Sequence, residues 1–320
     1  MEIKKGDNLS LPSGNVTVLD RLGRGSFGEV FLISDIDGKR TALKLGKDKR
    51  LRGGNADDDK ARKQILNEHT VYTALARYRG FPRVFGVGEV QVKGGVHMGL
   101  NMERLGPSLS HMQKKCPSNR IPEEHLIIIF RKALDRLRSM HRAGFVHRDV
   151  KPDNLMLGRG TDGELYLVDM GLATRFLTPS KTHIPPRHRP HAGITGTARY
   201  AALHVHEGHV ATRRSDIESL LYSVAHLGTG SLPWHDIYTR PAGISDAAAK
   251  KQRNSRITEC KRDSTPSKIF AGLPVDFCKM LRYVRGLGHS DPPDYERLDS
   301  MLQKLGRKFT KNNPRTPRRR

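Results

Sequence analysis

The pattern of hydrophobic residues changes near Gly106-Pro107, and this change constrains the fold more than any other feature. Before it, Val16 and Val18 alternate with polar residues and Asp37-Gly38 marks a hairpin turn, as expected for β-strands. After it, apolar residues recur at helical spacing: Leu126, Phe130, Ala133, Leu134, Leu137 and Met140. The sequence therefore predicts an α+β protein with a β-rich first third and an α-rich remainder.

The β-rich part is also predicted to contain one main helix. It follows a charged loop at 47–55 and begins at the carboxylates 57–59, which suit a helix N-terminus. One face of this helix carries Ile65, Glu68, Tyr72 and Leu75. A glutamate on an apolar stripe is predicted to point inward. Further strands are predicted at 84–92 and 96–102.

The chain is strongly basic, with 57 Lys and Arg against 33 Asp and Glu and a net charge of +24. A field of this size attracts polyanions, so binding of nucleic acid remains open beside any enzymatic function. Most basic faces are nevertheless only solvated. Residues 306–320 are basic, contain two prolines and are predicted to be a disordered tail, which fits nucleic-acid contact, nuclear import or simple solubility.

The sequence contains no apolar run long enough for a membrane span and no apolar signal segment at its start. We therefore expect an intracellular protein, in the cytoplasm, the nucleus or both, without membrane partners. Cys116, Cys260 and Cys278 are widely separated and are expected to be reduced thiols.

Two histidine-rich segments resemble metal sites. One contains His204, His206, Glu207 and His209, and the other contains His183, His188 and His191. Zinc usually takes four ligands in a closed shell, and no cysteine lies nearby in the sequence. Surface-loop histidines are the favoured interpretation, and residues 178–193 are predicted to be an irregular loop.

A glycine-rich segment lies between two predicted strands: Gly23-Arg24-Gly25-Ser26-Phe27-Gly28-Glu29-Val30. Glycines let backbone amides approach phosphate oxygens without interference from a Cβ. The spacing alone is weak, because dinucleotide-binding proteins share it. Here a strand rather than a helix follows the loop. This argues against a dinucleotide-binding site and favours a different type of phosphate-binding loop.

Lys44 ends the apolar strand Thr41-Ala42-Leu43-Lys44. An isolated lysine at such a place is usually a surface residue. Phosphoryl transfer from a nucleotide, however, requires a cation for the α- and β-phosphates, and Glu68 on its buried stripe is the matching partner for Lys44.

The most specific motif is His147-Arg148-Asp149-Val150-Lys151-Pro152-Asp153-Asn154. Asp149 is predicted to orient an attacking hydroxyl, Lys151 to reach the γ-phosphate, and Asn154 to supply an oxygen to Mg²⁺. Asp169-Met170-Gly171 follows a short apolar strand, and Asp169 is the second predicted magnesium ligand. Methionine stands where phenylalanine is usual and should keep the apolar packing. Together these motifs predict transfer of a phosphoryl group from ATP with Mg²⁺.

At this point the sequence resembles the casein kinase 1 family of serine/threonine kinases, from about residue 15 to 305. The resemblance rests on five segments: Leu105-Gly106-Pro107-Ser108-Leu109, His183-Ile184-Pro185, Thr195-Gly196-Thr197-Ala198-Arg199-Tyr200-Ala201, Arg213-Arg214-Ser215-Asp216-Ile217-Glu218-Ser219-Leu220 and Gly230-Ser231-Leu232-Pro233-Trp234. The usual Ala-Pro-Glu that ends the activation segment in other kinases is absent. Vaccinia-related and tau-tubulin kinases share the wider superfamily.

The resemblance implies a bilobal fold and a set of binding residues. The implied parts are an N-terminal extension at 1–14, a small β-rich lobe with one main helix at 15–104, a larger α-rich lobe at 105–305 and the tail at 306–320. ATP is expected at Gly23, Arg24, Gly25, Ser26, Phe27, Gly28, Val30, Ala42, Lys44, Met102, Glu103, Leu105, Asn154 and Asp169.

The resemblance also implies a substrate preference. Protein substrates with acidic or phosphorylated residues are expected, read by Arg199 and Arg253, because a guanidinium fork suits a phosphate. The alternative for Arg253 is that it is a solvated cation in a loop and does not contact the substrate. Thr197 should bond near Asp149 and Lys151, and Asp216 should anchor the backbone of the catalytic loop. The enzyme is expected to be a monomer.

The sequence departs from that family in two places, the second of which leaves the substrate preference open, and a function of another class also stays open. The loop between Lys44 and Glu68 is longer than usual in that family, and Ala202-Leu203-His204 replaces Ser-Ile-Asn near the expected substrate groove. The alternative is a catalytically weak scaffold that binds nucleic acid or acidic proteins. Such a scaffold would more often have lost one of the catalytic groups, and all of them are present here.

Overall fold

The computed structural model describes residues 3–25, 28–46, 56–92, 95–161, 163–188, 193–237 and 246–312, with backbone alone at 56–59, 247 and 310–312. The predictions made for Ser26, Phe27, the loop 47–55, the carboxylates 57–59, His191 and residues 313–320 lie outside this description. The chain forms two compact units. The first unit comprises Met1–Gly106 and Met156–Ala173, and the second comprises Pro107–Leu155 and Thr174–Arg320.

In chain order the strands are β1 (Asn8–Leu11), β2 (Gly14–Arg24), β3 (Gly28–Ser34), β4 (Arg40–Gly46), β5 (Val84–Val92), β6 (Gly95–Met102), β7 (Phe145–Val146), β8 (Leu155–Leu157), β9 (Leu165–Leu167) and β10 (Thr174–Arg175). The helices are α1 (Ala56–Leu75), α2 (Leu109–Lys115), α3 (Glu123–Arg142), α4 (Leu203–His206), α5 (Arg213–Thr229), α6 (Asp246–Asp263), α7 (Pro266–Ile269), α8 (Val275–Arg285) and α9 (Tyr295–Asn312). Short 3-10 turns cover Pro117–Asn119, Pro152–Asn154 and Met170–Leu172.

The first unit contains a closed antiparallel barrel with strand order β1-β2-β3-β4-β6-β5. Alternate residues of the strands face its interior, where Val18, Ile33 and Leu43 are almost fully buried. Strand β1 lies within the segment expected to be an extension. Its Leu9 and Leu11 are buried, and it pairs with β2 and β5, so the backbone there completes the barrel.

Helix α1 of the first unit confirms the buried stripe predicted from the sequence. Ile65, Glu68, Tyr72 and Leu75 are all at most 2% exposed. The helical spacing identified this face correctly because residues three and four apart lie one above the other. Helix α1 therefore places the side chain of Glu68 in the interior of the first unit.

The second unit is built around α5, which is buried along most of its length and packs against α3 and α8. Phe130 of α3 stacks on Phe277 of α8 with ring centroids 6.1 Å apart. Helix α5 begins with reciprocal hydrogen bonds between Thr212 and Ser215 and ends at Gly230, whose φ of 81° needs glycine. The helical periodicity noted from Leu126 to Met140 is confirmed, since these residues lie within α3.

Helix α9 corrects one prediction. Residues 306–312 were assigned to a disordered tail, but they are helical. Leu298, Leu302 and Leu305 are buried on one face, and Arg131 Nε donates to Asp299 Oδ1 at 2.7 Å. The helix continues from these anchored turns because each added residue gains a backbone hydrogen bond at little entropic cost.

The predicted α+β class is confirmed, with a β-rich first unit that holds one main helix and an α-rich second unit. Among the described residues, no helix is long and apolar enough to cross a membrane.

Candidate active site

The glycine-rich segment forms the end of the β2–β3 hairpin. Gly23 pairs with Val30, and the N–H of Gly25 donates to the carbonyl of Gly28 at 2.8 Å. A Cβ at Gly28 would collide with the carbonyl of Leu45 on β4, so only glycine allows this close approach of two strands. Glycine at position 28 therefore allows β3 to pack closely against β4 at this position.

Lys44 on β4 binds two carboxylates of the first unit. Its Nζ donates to Glu68 Oε2 and to Asp169 Oδ1, each at 2.6 Å. Burial alone lowers the pKa of Lys44, but the two carboxylates outweigh this effect and raise it above its usual value. The predicted pairing of Lys44 with Glu68 is thus present, and Lys44 carries its charge at neutral pH.

Helix α1 also holds the loop that carries Asp169. Asp169 adopts a left-handed conformation with φ of 67°, and its N–H donates to the Tyr72 hydroxyl at 3.0 Å. The N–H of Met170 donates to Glu68 Oε1 at 3.2 Å, and Asn67 Nδ2 donates to the carbonyl of Ala173 at 2.9 Å. A non-glycine residue with positive φ needs such support.

Met170, which replaces the usual phenylalanine, is fully buried. The apolar packing predicted for it is therefore retained in the first unit.

The remaining residues expected at ATP lie on β2, β3, β4 and β6 and in the segment after β6. Ala42 pairs with Met102, and both are buried. The N–H of Glu103 donates to the carbonyl of Arg83 at 2.7 Å, while Val30 and Leu105 are half-buried and Arg24 is exposed. A Cβ at Gly106 would lie 2.9 Å from the carbonyl of Leu157, which explains glycine after Leu105.

In the second unit, Asp149 is held from both sides of its carboxylate. The N–H of Thr197 donates to Oδ1 at 2.8 Å, and Lys151 Nζ donates to Oδ2 at 2.6 Å. Lys151 Nζ also donates to Thr197 Oγ1 at 3.0 Å, so the three residues form a closed triangle. Asn154 Nδ2 donates to the carbonyl of Asp149 at 2.9 Å, which leaves its amide oxygen for another partner.

Asp216 at the start of α5 anchors the backbone before Asp149. Its carboxylate accepts the N–H of His147 at 2.7 Å, the N–H of Arg148 at 2.9 Å and His141 Nε2 at 2.9 Å. Burial alone would raise the pKa of Asp216, but His141 and the backbone donors outweigh it and lower the pKa. These bonds hold Arg148 at φ of 70°, the turn that presents Asp149.

Gly196 brings the segment around Thr197 against the same turn. Its φ is 87°, and a Cβ there would collide with the carbonyl of Arg148 and approach Asp149 Oδ1 at 3.1 Å. Glycine is thus required for Thr197 to reach Asp149.

The two expected anion-reading arginines lie on different elements of the second unit. Arg199 follows Thr197, and its carbonyl accepts Trp234 Nε1 at 2.8 Å. Burial, with the charge of Arg199 nearby, lowers the pKa of His226 to about 4. Arg253 is half-buried on α6. Arg199 therefore lies in the segment that contacts Asp149, whereas Arg253 lies on α6, which is distant from that segment in the sequence.

The family of the chain follows from a comparison with protein-family models. The model of the protein kinase domain matches residues 16–310. The chain belongs to the protein kinase family. Kinases of this family use ATP and Mg²⁺ in general. Asp169 of the first unit has a carboxylate and Asn154 of the second unit has an amide oxygen, and each is a hard oxygen donor of the kind that Mg²⁺ prefers.

The histidines of this kinase have hydrogen-bonded places within the fold. His204 Nε2 contacts Ser215 Oγ at 2.7 Å, His206 Nδ1 contacts Thr258 Oγ1 at 2.9 Å, and the rings of His188 and His209 lie 4.6 Å apart. His204 and His206 are thus partly buried rather than simple surface residues. Within the described ranges, no group of three His, Cys, Asp or Glu side chains could hold a metal ion.

Several supporting residues of the kinase were missed from the sequence. Asn67 directly precedes the predicted Glu68. Its hydrogen bond to the 169–173 loop was not predicted, because that loop is distant from Asn67 in the sequence. His141 and Lys261 are almost fully buried polar residues on α3 and α6. A helical stripe that included His141 beside Leu137 and Met140 was a detectable signal, whereas α6 has no apolar period in which Lys261 could stand out.

Proposed function

We propose that this protein kinase is a serine/threonine kinase of casein kinase 1 type that transfers the γ-phosphoryl group of ATP to protein hydroxyls. The observation that carries the proposal is the triangle of Asp149, Lys151 and Thr197. It holds a carboxylate and an ammonium in fixed positions beside the segment that leads to Arg199. The sequence segments from Leu105 to Trp234 described above support the subfamily assignment.

The chemistry depends on positioning and charge. The transferred group passes through a loose transition state, so little covalent chemistry is required of the protein. We propose that Lys44 binds the α- and β-phosphates, that Lys151 binds the γ-phosphate, and that Asp149 orients the hydroxyl and takes its proton. Glu68 holds Lys44 in place.

Asn154 and Asp169 would hold Mg²⁺, which neutralises phosphate charge when bound. Asp169 is suited to this role because its carboxylate supplies the hard oxygen donors that Mg²⁺ prefers. Asn154 is suited because its donor nitrogen is used by the Asp149 carbonyl, which turns the amide oxygen outward from that bond.

The proposed substrates carry acidic or phosphorylated residues near the acceptor hydroxyl. Arg199 supports this part of the proposal, because its backbone lies two residues from Thr197 and is fixed by Trp234. Arg253 is proposed as a second contact on the basis of the family resemblance. A guanidinium presents paired donors to a phosphate.

The test is transfer of radiolabelled phosphate from ATP to casein and to a phosphorylated serine peptide. Asp149→Asn should lower kcat by about 10²–10⁴-fold, the range of general acid–base contributions. Asp153→Asn is the matched control, since Asp153 is exposed in the same loop. Wild-type activity no greater than that of Asp149→Asn would refute the enzymatic proposal, and activity on tyrosine peptides alone would refute the specificity.

We also propose that the basic charge lets the kinase bind polyanions such as nucleic acid. The net charge of +24 supports this proposal, and the last residues, 313–320, contain several arginines. Retention on immobilised heparin should decrease with salt and should weaken when the chain is shortened after Asn312. Unchanged retention of the shortened chain would place polyanion binding elsewhere on the kinase.

A further inference from the structure

Lys261 on α6 has no exposed surface, although its side chain ends in an ionisable amino group. Burying such a group is costly unless it is fully hydrogen-bonded or paired. Burial lowers the pKa of Lys261 well below its usual value. Its partners therefore decide whether the residue stabilises the second unit or weakens it.

Two partners are backbone carbonyls of the segment that follows Thr197. Lys261 Nζ donates to the carbonyl of Ala198 at 2.9 Å and to that of Ala201 at 2.5 Å. The N–H groups of Tyr200 and Ala201 both donate to the carbonyl of Thr197, so this segment forms one tight turn. The ammonium satisfies the two carbonyls at its ends.

His206 is the third polar neighbour of the Lys261 side-chain nitrogen. Its Nε2 lies 3.1 Å from Lys261 Nζ and 2.9 Å from the carbonyl of Ala198, while its Nδ1 lies 2.9 Å from Thr258 Oγ1. Burial, together with the charge of Lys261, lowers the pKa of His206 to about 3, so its ring is neutral at neutral pH. Lys261 and His206 thus meet at the carbonyl of Ala198, which both contact.

Two aromatic rings complete the surroundings of the ammonium. Lys261 Nζ lies 4.8 Å from the ring centroid of Tyr222 and 5.0 Å from that of Trp234. A cation is attracted to such ring faces. Trp234 in turn donates to the carbonyl of Arg199, so Lys261 and Trp234 together hold the carbonyls of Ala198, Arg199 and Ala201.

We propose that Lys261 is a positioning residue for substrate recognition: its buried side-chain nitrogen, through its hydrogen bonds to two carbonyls, sets the backbone of residues 198–201 and thereby the placement of Arg199. The inference rests on the proposed function, in which Arg199 reads the anionic group of the substrate. Lys261 acts through this segment and contacts neither ATP nor the hydroxyl.

The first test compares Lys261→Met with wild type. Methionine keeps the apolar stem and removes the three donors. The KM for the phosphorylated peptide should rise about tenfold, because the binding free energy lost is roughly that of one buried hydrogen bond. The KM for ATP should change less than about twofold. Lys251→Met is the matched control, because Lys251 is exposed on the same helix and should leave both constants unchanged.

A second, milder variant tests the same role of Lys261 if Lys261→Met does not fold. Thr258→Val removes the hydroxyl that lies 2.9 Å from His206 Nδ1, so the imidazole is held less firmly beside Lys261 and the carbonyl of Ala198. Lys261 itself is kept, but one of its polar neighbours is weakened. The peptide KM should rise in the same direction but by a smaller factor, with the ATP KM unchanged.

Hydrogen exchange separates this inference from the proposed function. The amides of Tyr200 and Ala201 should exchange about tenfold faster in Lys261→Met, and this readout needs no catalysis. Wild type without transfer activity would refute the proposed function, and the exchange rates would still decide the role of Lys261. Unchanged exchange, or an equal loss of kcat on all peptides with unchanged peptide KM, would overturn the inference.

Discussion

The Tyr72 hydroxyl of helix α1 accepts the backbone N–H of Asp169 at 3.0 Å. Tyr72 lies one turn after Glu68, so the same helix holds Lys44 through Glu68 and the backbone of Asp169 through Tyr72. Burial raises the pKa of Tyr72 well above its usual value, with Glu68 and Asp169 adding to this effect, so the hydroxyl remains protonated. The proposed magnesium ligand thus owes its left-handed conformation to a residue outside the known kinase motifs.

Tyr72→Phe should leave the N–H of Asp169 without its acceptor while keeping the ring packing. We expect a loss of about 1–3 kcal/mol in the free energy of unfolding, the usual cost of an unsatisfied buried donor. The Mg²⁺ concentration for half-maximal activity should also rise. Tyr78→Phe is the control, because Tyr78 is half-buried and its hydroxyl contacts Arg77. Equal magnesium dependence in both variants would contradict this role for Tyr72.

Asp216→Asn should destabilise the turn that presents Asp149. The N–H of His147 reaches Oδ2 and that of Arg148 reaches Oδ1, and asparagine would place an NH₂ group, which cannot accept, at one of these two positions. We expect a loss of about 1–3 kcal/mol in stability and a fall in kcat without a large change in the KM for ATP. Urea unfolding and steady-state kinetics measure the two effects. Asp263→Asn, at an exposed site on α6, should change neither.

Acidification should weaken the fold through three partly or fully buried histidines. Burial lowers the pKa of His204 and His226 to about 4 and that of His206 to about 3. In the unfolded chain each has a pKa of about 6.5, so below that pH the unfolded state binds protons that the folded state does not. The free energy of unfolding should therefore decrease as the pH falls from about 6.5 toward 4, by up to about 1.4 kcal/mol per pH unit for each histidine.

The pH effect can be measured by urea unfolding, followed by the fluorescence of Trp234, the single tryptophan of the chain. His204→Gln should reduce the slope of stability against pH by about one proton. His125→Gln, at an exposed site, should leave the slope unchanged. The prediction fails if both variants keep the wild-type slope.

Arg199→Ala should reduce activity on a phosphorylated peptide about tenfold more than on the unphosphorylated peptide, because a charge-assisted hydrogen bond is lost only with the first. The measurement is kcat/KM for both peptides. Arg253→Ala in the same assay decides whether α6 contributes a second contact. Arg256→Ala, at an exposed position of α6, is the control. Equal losses on the two peptides would refute anion reading by Arg199.

Much of this kinase could be predicted from local features of the chain. The alternation around Val18 indicated the barrel strands, and the helical stripe of α1 placed Glu68 inside. The spacing within His147–Asn154 predicted residues that the second unit does bring together, because only a few positions separate them. Short-range periodicity and motif spacing carry this information since backbone geometry fixes which nearby residues share a face.

Other features depend on contacts between residues far apart in the sequence. Helix α6 carries little apolar pattern, so neither the helix nor the burial of Lys261 was predicted. Residues 306–312 looked like a basic tail, yet the anchored turns of α9 extend through them.

The sequence by itself determined the family, the α+β class and the groups suited to phosphoryl transfer, because these lie in short motifs and regular periods. The tertiary structure alone decided that Tyr72 supports Asp169, that Asp216 holds the turn before Asp149 and that Lys261 binds the backbone of residues 198–201. The physical reason is that a buried donor or acceptor takes its partner from whichever element packs against it, and the residue types alone do not specify that partner.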